Sequence, residues 1–421
     1  MNLLEDLRWR GLLSQSTDET ALQEALKKPI TLYIGFDPTA PSLHVGNLVV
    51  LLVLRRFQLA GHNPIALVGG ATGLVGDPSG RNEERTLNSG DTVAEWVAKI
   101  RTQVSTFLDF EKGPNKAQVV NNLDWTSPLS AIEFLRDIGK HFSVNQMLAK
   151  DTVSSRLEAG GISYTEFSYQ VLQSLDFLEL YRRYKCTLQL GGSDQWGNIV
   201  AGLDLIRRVE GGSGHALTIP LLTKADGSKF GKTASGSIWL DASMTSPYAF
   251  FQYWLNSDDA DVIKFIKTFS FKTREEIEAL EARHNENPGA REAHRELARE
   301  LTSLVHSPEI SQRVEVAARA LFGQADLSEL DEATLASAIA ELPRTTVSAV
   351  EELPTWVDLL AATGVVDSKS AARRIVKESG AYLNNEKVAS EDFRLEKSHF
   401  LCGKYALLRK GKRDLAAVEL I

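Results

Sequence analysis

The stretch from Tyr33 to Asn47 carries the residue types and spacing that best suit phosphate chemistry. It reads as an apolar strand, a turn rich in Pro and small polar residues, and a helix start for which Ser42 is the expected N-cap. His44 and Asn47 are three positions apart and share one face of the first helical turn, and Gly46 lets another group approach the backbone. Helix N-termini attract anions. The pattern predicts a phosphate site, although a capped core helix with an incidental histidine explains the same residues.

Two glycine-rich turns follow apolar, strand-like runs, at residues 69–81 and 191–198. A strand–helix–strand unit followed by such a turn implies a parallel sheet with ligand at the carboxyl ends of its strands. The first turn is not a dinucleotide fingerprint, because Ala71 stands where that motif needs glycine. We expect it to face a substrate through Asp77, with a surface loop as the alternative. The second turn places Asp194 at the same edge of the sheet.

One predicted helix carries a polar face. Tyr169, Gln173 and Asp176 fall at positions i, i+4 and i+7, and Leu172 and Leu180 make the rest of that face apolar. Buried polar groups need partners, because leaving them unpaired costs free energy. Periodicity alone favours the plainer interpretation, an amphipathic helix with a polar edge.

A basic loop follows the last predicted strand of the sheet. Lys229 and Lys232 lie three apart in the Gly- and Ser-rich segment 223–236, a pattern suited to a flexible clamp on polyphosphate. The end of this segment is similar to a P-loop, but that motif requires glycine at Asp226, and we reject it. A solvated basic loop is the alternative.

Length and charge limit the classes of protein that fit. The 421 residues allow two or three domains, and the net charge of −8 argues against a nonspecific nucleic-acid coat. Residues 354–421 hold 12 basic and 9 acidic residues, whereas the preceding chain is acidic. This asymmetry is expected if the tail meets nucleic acid.

Cysteine content and the amino terminus indicate the compartment. Cys186 and Cys402 are far apart and no CxxC motif occurs, so neither a disulfide framework nor a cysteine-based zinc site is expected. Residues 1–6 do not open a signal peptide, and the apolar run 48–54 is too short to span a bilayer. We expect a cytoplasmic protein with no membrane contact and no resident metal site.

Together these segments resemble one family. His44-Val45-Gly46-Asn47 resembles the His-Ile-Gly-His signature of class I aminoacyl-tRNA synthetases, and residues 229–233, Lys-Phe-Gly-Lys-Thr, resemble the Lys-Met-Ser-Lys-Ser signature. Residues 33–39, 69–81 and 191–198 are similar to the bacterial-type tyrosyl-tRNA synthetases. Asn47 departs from the second histidine of the first signature, and it can donate to phosphate but cannot carry charge.

The resemblance implies an α/β fold class with a Rossmann-like parallel-sheet catalytic domain, an α-helical domain and a small α+β S-four-like RNA-binding domain. The implied domains are residues 1–222 for catalysis, with a helical insertion at about 128–165 as the dimer interface; 223–324 for the second-signature loop and the helical domain; 325–353 as a linker; and 354–421 for the RNA-binding domain.

The resemblance also implies an activity and its residues. The family activates L-tyrosine with ATP to tyrosyl-adenylate and pyrophosphate, then transfers tyrosine to the 3′ end of tRNA(Tyr), with Mg²⁺ neutralising the pyrophosphate. The implied catalytic residues are Thr39, His44, Asn47, Lys229, Lys232 and Thr233. Tyrosine binding is implied for Tyr33, Asp77, Tyr169, Gln173, Asp176 and Gln195, which replaces the plainer interpretation of the polar helix face. ATP binding is implied for Gly35, Asp37, His44, Gly46, Asn47, Gly191, Asp194, Lys229 and Lys232.

The implied partners are tRNA and a second copy of the chain. Candidate tRNA contacts in the basic tail are Arg373, Arg374, Lys377, Arg409, Lys410, Lys412 and Arg413, and the helices after residue 246 offer a further surface. A pocket that pairs with the substrate hydroxyl leaves polar groups unmet when phenylalanine binds, so no editing domain is expected; this enzyme family is the standard example of that effect.

Two alternatives remain at this stage. A tryptophanyl-type class I synthetase shares the fold and both signatures, but Asp176, Tyr33 and the tail argue against it. A noncatalytic RNA-binding relative would keep only the tail function, and the presence of His44 with both signature lysines argues against that.

Overall fold

The computed structural model describes residues 2–79, 87–228, 230–233, 236–349, 352–411 and 414–421, without the side chains of residues 151, 152, 155, 159 and 233. The chain forms two compact units. Unit 1 comprises residues 1–241 and 263–271, and unit 2 comprises residues 242–262 and 272–421. In the described parts of the chain, no helix has the length and apolar character needed to cross a membrane.

Unit 1 is built on a six-stranded sheet. The strands are β1 (Gln15–Ser16), β2 (Thr31–Phe36), β3 (Asn63–Val68), β4 (Gln118–Asn121), β5 (Cys186–Gly192) and β6 (His215–Ile219). Their order is β1-β6-β5-β2-β3-β4, with β1 antiparallel to β6 and the other neighbours parallel. The central strands are near-continuous apolar runs because helices cover both faces of a parallel sheet.

Helices connect these strands and cover the sheet. They are α1 (Leu3–Trp9), α2 (Glu19–Ala25), α3 (Val45–Leu59), α4 (Thr72–Val75), α5 (Gly90–Ser105), α6 (Leu123–Thr126), α7 (Ala131–Glu133), α8 (Val144–Leu148), α9 (Asp151–Ala159), α10 (Tyr164–Tyr184) and α11 (Trp196–Glu210). A two-stranded ribbon, β7 (Lys232–Thr233) with β8 (Gly236–Ser237), follows. A buried core that includes Leu67, Phe177 and Leu180 joins the sheet to α10.

The strand order predicts the position of a ligand site. The chain runs outward from β2 to β3 and β4 and then returns as β5 on the other side of β2. Such a reversal opens a crevice at the carboxyl ends of the two central strands. The turns after β2 and β5, which the sequence singled out, both lie at that edge.

Two stretches of unit 1 have helical sequence patterns. The pattern of residues 2–28 predicts one or two amphipathic helices, and α1 and α2 confirm it, with β1 between them pairing Ser16 with Leu217 of β6. The pattern of residues 128–184 predicts helix with uncertain boundaries, and the structure has a series of short helical segments there before the long helix α10. Gly160 and Gly161 have φ values of 155° and 104°, which end α9 because few other residues adopt them.

Unit 2 combines a helical part with a small sheet. Its helices are α12 (Pro247–Leu255), α13 (Asp259–Phe269, of which residues from 263 belong to unit 1), α14 (Arg274–Glu286), α15 (Glu292–Val305), α16 (Pro308–Leu321), α17 (Glu332–Ile339), α18 (Trp356–Ala362) and α19 (Lys369–Lys377). The strands are β9 (Arg344–Val347), β10 (Ala381–Leu383), β11 (Glu386–Lys387), β12 (Tyr405–Lys410) and β13 (Asp414–Leu420).

The sheet of unit 2 has the order β11-β10-β12-β13-β9. The sequence 380–388 predicts a hairpin, and the structure confirms it as β10 and β11, joined by Asn384 and Asn385 with φ values of 50° and 70°, a turn that matches the twist of a hairpin. Trp356 of α18 is fully buried beneath the sheet and donates its indole N–H to the Tyr382 carbonyl at 3.1 Å.

Part of the predicted linker belongs to this sheet. Within 325–353, β9 pairs in parallel with β13, and α17 precedes it. The sequence signal was weak because β9 is only four residues long and just one of them, Val347, is buried. The sequence 405–413 predicts a strand that ends in a basic turn, and β12 confirms the strand; the chain then returns as β13, which the sequence did not indicate.

Candidate active site

The N-terminus of α3 is capped by His44, not by Ser42. His44 has extended backbone angles, and its Nδ1 accepts from the Gly46 N–H at 3.0 Å while Asn47 Oδ1 accepts from the His44 N–H at 3.1 Å. The prediction for Ser42 is wrong because its hydroxyl oxygen instead accepts from Gln103 Nε2 at 2.9 Å and from the Asp241 N–H at 3.1 Å. The first signature is therefore a reciprocal capping box.

This cap fixes the chemistry of the His44 ring. Because Nδ1 accepts a hydrogen bond, the proton of the neutral ring lies on Nε2, which becomes a donor. Burial, with Lys232 as the second cause, lowers the pKa of His44 from its usual value, so the ring is neutral at pH 7. A neutral donor at a helix N-terminus suits a phosphate oxygen.

Gly46 is required by the same cap. A Cβ at this position would lie 2.7 Å from Cε1 and 2.9 Å from Nδ1 of His44. Any other residue would displace the ring that accepts its own backbone N–H. Gly46 therefore leaves room for the capping His44 ring, in addition to the close approach to ATP that the resemblance implies.

The two signatures are joined by backbone hydrogen bonds. Val45 donates to the Ile238 carbonyl at 3.0 Å, and Leu240 donates to the Leu43 carbonyl at 2.8 Å. Gly231 has a φ of 76°, and a Cβ there would lie 2.7 Å from Val45 Cγ2. The second signature therefore passes directly over the first residue of α3, although the two are far apart in sequence.

Side chains of the second signature divide into anchored and exposed groups. Phe230 is buried between Phe265 and Phe269, with ring centroids 5.0 and 5.5 Å away. Lys232 is exposed and close enough to act on the His44 pKa. Lys229 and the Thr233 side chain lie outside the described residues. Sequence reasoning missed Trp239, whose ring lies 6.0 Å from that of His44.

Asp176 lies at the bottom of a second, buried cluster. It is 2% exposed, and its carboxylate accepts from Asn122 Nδ2 and from Trp125 Nε1, each at 2.9 Å. Burial raises its pKa to about 7, against the effect of these two hydrogen bonds. Sequence reasoning missed Asn122 and Trp125, which lie on another element with no motif to mark them.

Three buried polar atoms around this cluster have no hydrogen-bond partner among the described residues. They are Tyr33 Oη, Gln173 Oε1 and Gln189 Oε1. Tyr33 and Gln189 are register partners on β2 and β5, and Tyr33 packs on Phe177 of α10 with ring centroids 5.3 Å apart. Burial first, and Asp176 second, raise the pKa of Tyr33 well above its usual value, so its hydroxyl is neutral. Unpaired atoms of this kind are costly, and they mark a place for a polar ligand.

Asp37 connects the turn after β2 to this cluster. Tyr169 Oη and Thr72 Oγ1 donate to its two carboxylate oxygens, each at 2.6 Å, and Asn122 Nδ2 donates to Thr72 Oγ1 at 2.9 Å. A Cβ at Gly69 would overlap the Asp37 carboxylate, which explains glycine in the first turn. The chain of hydrogen bonds thus runs from Asp37 to Asp176.

A third carboxylate completes a negative pocket. Asp77 is 8% exposed; its Oδ2 accepts from Gln195 Nε2 at 2.6 Å and its Oδ1 from the Ser79 N–H at 2.9 Å. Burial raises the pKa of Tyr169, and Asp37, Asp77 and Asp176 each raise it further. Three carboxylates that act on one phenol make the pocket favourable for a cation such as an ammonium group.

The remaining predicted residues lie at the edge of this pocket. Thr39 is exposed, and its N–H donates to the Asp37 carbonyl at 2.9 Å; Gly35 and Gly191 are the next-to-last residues of β2 and β5. Asp194 has a pKa raised by burial and by Asp77. The structure thus brings the described tyrosine-binding and ATP-binding candidates to the carboxyl edge of the sheet in unit 1.

The candidate tRNA contacts are in unit 2. Arg373, Arg374 and Lys377 are exposed on α19, where Lys377 Nζ lies 3.2 Å from Glu391. Arg409 lies over the Tyr382 ring at 4.0 Å, and Lys410 pairs with Asp414 at 3.0 Å. Lys412 and Arg413 lie outside the described residues.

Comparison with known families identifies the class of protein. Residues 24–323 match the family model described as tRNA synthetases class I (W and Y), and the chain therefore belongs to that class. A second segment, residues 334–418, matches the model of the tyrosine–tRNA ligase SYY-like C-terminal domain. The class I fold predicted from the signatures is confirmed.

Full-length relatives show which group of class I synthetases the chain belongs to. The chain is 61% identical to the tyrosine–tRNA ligase of Streptomyces avermitilis over 422 residues, covering 100% of this chain and 99% of the relative. It is 56% identical to that of Corynebacterium glutamicum, covering 100% of both. A C-terminally truncated mitochondrial tyrosyl-tRNA synthetase of Aspergillus nidulans superposes with a TM-score of 0.69 at 30% identity, over 76% of this chain and 94% of that one. Within class I, the chain belongs to the tyrosine–tRNA ligases, as the sequence motifs predicted.

Proposed function

We propose that this chain activates L-tyrosine with ATP and transfers the tyrosyl group to the 3′ end of tRNA(Tyr). In the first step the tyrosine carboxylate attacks the α-phosphorus of ATP, and the bond to the β-phosphate breaks to release pyrophosphate. In the second step a hydroxyl of the terminal ribose attacks the carbonyl carbon and AMP leaves. No side chain forms a covalent bond, so catalysis comes from positioning and from charge stabilisation in the transition state.

The observation that carries the proposal is the pair formed by the unpartnered Tyr33 hydroxyl and the buried Asp176 carboxylate. A phenol placed between them donates to Asp176 and accepts from Tyr33, so the buried Tyr33 hydroxyl gains a hydrogen-bond partner. An indole ring has one N–H donor and no acceptor and satisfies only one of these groups. Phenylalanine satisfies neither, so discrimination needs no editing site.

The remainder of the pocket suits the amino-acid backbone of the substrate. Asp77, Tyr169 and Gln173 are assigned to the α-ammonium group, because the carboxylates around Tyr169 favour a cation and Gln173 Oε1 is an unpartnered acceptor. Gln195 is assigned to the neighbourhood of the substrate carboxylate. Its amide now donates to Asp77, and it has further capacity to donate.

ATP is assigned to the edge formed by the two signatures. His44 donates through Nε2 to the phosphates. The side-chain oxygen of Asn47 accepts a hydrogen bond in the cap, which leaves its NH₂ group to donate to phosphate or ribose. Lys229, Lys232, Thr233 and Thr39 complete the set of phosphate contacts in this proposal, and Gly35, Asp37, Gly46, Gly191 and Asp194 line the nucleotide. We expect Mg²⁺ to bind together with ATP, with phosphate oxygens and water as its main ligands.

A homodimer is part of the proposal. Seven of the fourteen exposed large apolar side chains described lie between residues 123 and 164: Leu123, Ile132, Leu135, Val144, Leu148, Leu157 and Tyr164. Such a concentration marks an interaction surface. Replacing Ile132 and Leu135 with Glu is expected to give a monomer in sedimentation; an unchanged sedimentation coefficient argues against this face.

The setting is proposed to be the cytoplasm. Both cysteines, buried Cys186 and exposed Cys402, are free thiols, which suits a reducing compartment.

Tyrosine-dependent exchange of pyrophosphate into ATP tests the activity. Exchange should be strong with tyrosine, and both tryptophan and phenylalanine should support it at least about 10⁴-fold less well, as expected for a pocket built around a hydroxyl. Absence of exchange with tyrosine, or equal exchange with tryptophan, rules out the proposal. Charging of tRNA(Tyr) then tests the second step separately.

A further inference from the structure

A cluster of metal-ligating side chains lies in unit 2 and has no part in the proposed reaction. Asp259 begins α13, His284 lies near the end of α14, and His294 lies in the first turn of α15. One potential ligand atom from each lies within 4.8 Å of the other two. No other group of this kind occurs among the residues whose structure is described.

The two histidines are buried without the hydrogen bonds that buried imidazoles usually have. His294 is fully buried and His284 is 6% exposed. Neither ring nitrogen of His294, nor Nδ1 of His284, has a well-aligned hydrogen bond within the described part of the chain, although the Ser257 backbone is near enough to the His294 ring to raise its pKa. Ring centroids of the two histidines are 5.6 Å apart. Two adjacent buried imidazoles without hydrogen bonds lower the stability of the fold unless a ligand binds them.

Distances within the cluster fit a shared ion. His294 Nε2 lies 3.2 Å from Asp259 Oδ1, without hydrogen-bond alignment. Neighbouring ligand atoms of a tetrahedral zinc ion, with bonds of about 2 Å, are about 3.3 Å apart. Asp259 has a side chain that is 55% exposed, so it can move to close the remaining distances, and water can reach a fourth position.

Surrounding charges also bear on the site. Burial and Arg291 lower the pKa of His294 to about 4, and the Asp259 carboxylate acts against them. The Arg291 guanidinium is held by the carbonyls of Leu255 and Ser257, at 2.5 and 3.5 Å, and the negative charge of Asp259 offsets its effect on a bound cation.

We propose that Asp259, His284 and His294 bind one divalent transition-metal ion of the zinc type, with water as the fourth ligand. Two imidazoles and a carboxylate are the donors that Zn²⁺ and Co²⁺ accept, whereas Mg²⁺ and Ca²⁺ prefer oxygen alone. The ion would be structural, because it would join the beginnings of α13 and α15 to the end of α14. Sequence reasoning missed this site, because the three residues follow no known ligand spacing.

Metal titration of the chelator-treated, full-length protein tests the site. We expect one equivalent of Co²⁺ to give the visible absorption of a tetrahedral ion, Zn²⁺ to displace it, and Zn²⁺ to raise the unfolding temperature. Asp259→Asn, at an exposed position, and His284→Gln should each weaken Zn²⁺ binding by at least about tenfold. Both should abolish the rise in unfolding temperature.

Asp258→Asn is the matched control. It removes the same charge one residue away, and Asn caps a helix as well as Asp does, so binding should be unchanged. Absence of saturable binding, or binding that is equal in wild type, Asp259→Asn and His284→Gln, would overturn the proposal. In the second case the ion sits on surface histidines. Tyrosine-dependent exchange is not a readout here, so failure of the metal site leaves the proposed activity standing.

Discussion

At the scale of single residues, the proposed tyrosine pocket is marked by buried polar atoms that have no hydrogen-bond partner among the described residues. Tyr33, Gln173 and Gln189 each keep a buried polar atom without a partner in the described structure. Asp176 is held in place by Asn122 and Trp125 while retaining lone pairs for a further donor. These polar groups therefore gain hydrogen-bond partners when a matching substrate binds.

Tyr33→Phe separates binding from stability. Removing an unpaired buried hydroxyl should leave the free energy of unfolding unchanged or slightly higher. The KM for tyrosine in exchange should rise about two- to tenfold, because one hydrogen bond of roughly 0.5–1.5 kcal/mol is lost, and activation of phenylalanine should stay constant. Equal losses for tyrosine and phenylalanine would show that the hydroxyl does not contact the substrate.

Asp176 predicts a pH dependence of tyrosine binding. Burial raises its pKa to about 7 in the free protein, so the carboxyl is partly protonated near neutrality. A substrate phenol that donates to it favours the ionised form, so binding releases a proton and affinity falls as the pH drops below 7. The Kd from calorimetry should rise about tenfold from pH 8 to pH 6, since one linked proton changes affinity by up to tenfold per pH unit. Asp176→Asn should bind weakly with a flat profile; a flat profile in wild type contradicts the assignment.

At the scale of elements, the first signature is a helix cap and, in the proposed function, also a phosphate-binding site. The same His44 ring accepts from the Gly46 N–H and leaves its Nε2 proton for a phosphate. The strand β2 ends just before it, and residues 238–240 hold it through backbone hydrogen bonds. A loss of activity on changing His44 can therefore come from either role.

Comparing His44→Asn with His44→Ala separates the two roles. Asn is a good N-cap, so its unfolding free energy should match wild type, while Ala should lose about 1 kcal/mol. Both variants lack the Nε2 donor, and kcat for exchange should fall about 10²- to 10³-fold in each, the usual effect of removing one donor to a transition-state oxyanion. If Asn keeps wild-type kcat, His44 acts only as a cap.

Much of unit 1 could be predicted from these elements. The strands β2, β3 and β5 and helix α3 are marked by apolar runs and glycine turns, and the ligand edge follows from their order. Ser42 was a wrong choice of cap, because short-range propensity could not reveal that Gln103 and Asp241 use its hydroxyl. Asn122, Trp125 and Gln189 were missed, since only the fold brings them beside Asp176 and Tyr33.

At the scale of the molecule, the charge asymmetry has a structural counterpart in α19. Its exposed basic residues belong to the sheet-containing part of unit 2, where β9 and β13 pair. Deleting residues 354–421 would be a poor test of tRNA binding, because it removes β13, the partner of β9. Charge removal on α19 tests the same surface without disturbing the sheet.

Changing Arg373, Arg374 and Lys377 together to Gln should weaken tRNA binding, with exchange unaffected. Each lost phosphate contact should reduce the slope of log K against log salt by about 1. The control changes Lys27, Lys99 and Lys112, exposed residues of unit 1, to Gln and alters the net charge equally. If the control weakens tRNA binding as much, the effect is one of overall charge; if exchange also falls in the α19 variant, the division of labour is wrong.

The edge strand β1 has a consequence for how the protein is made. The Gln15 N–H donates to Thr218 Oγ1 across 203 positions of sequence. At about 5–20 residues per second, a ribosome needs roughly 10–40 s to supply that partner. During this interval β1, which lies between the first two helices, cannot form its hydrogen bonds to β6. The nascent amino terminus is therefore a candidate for chaperone binding until β6 emerges.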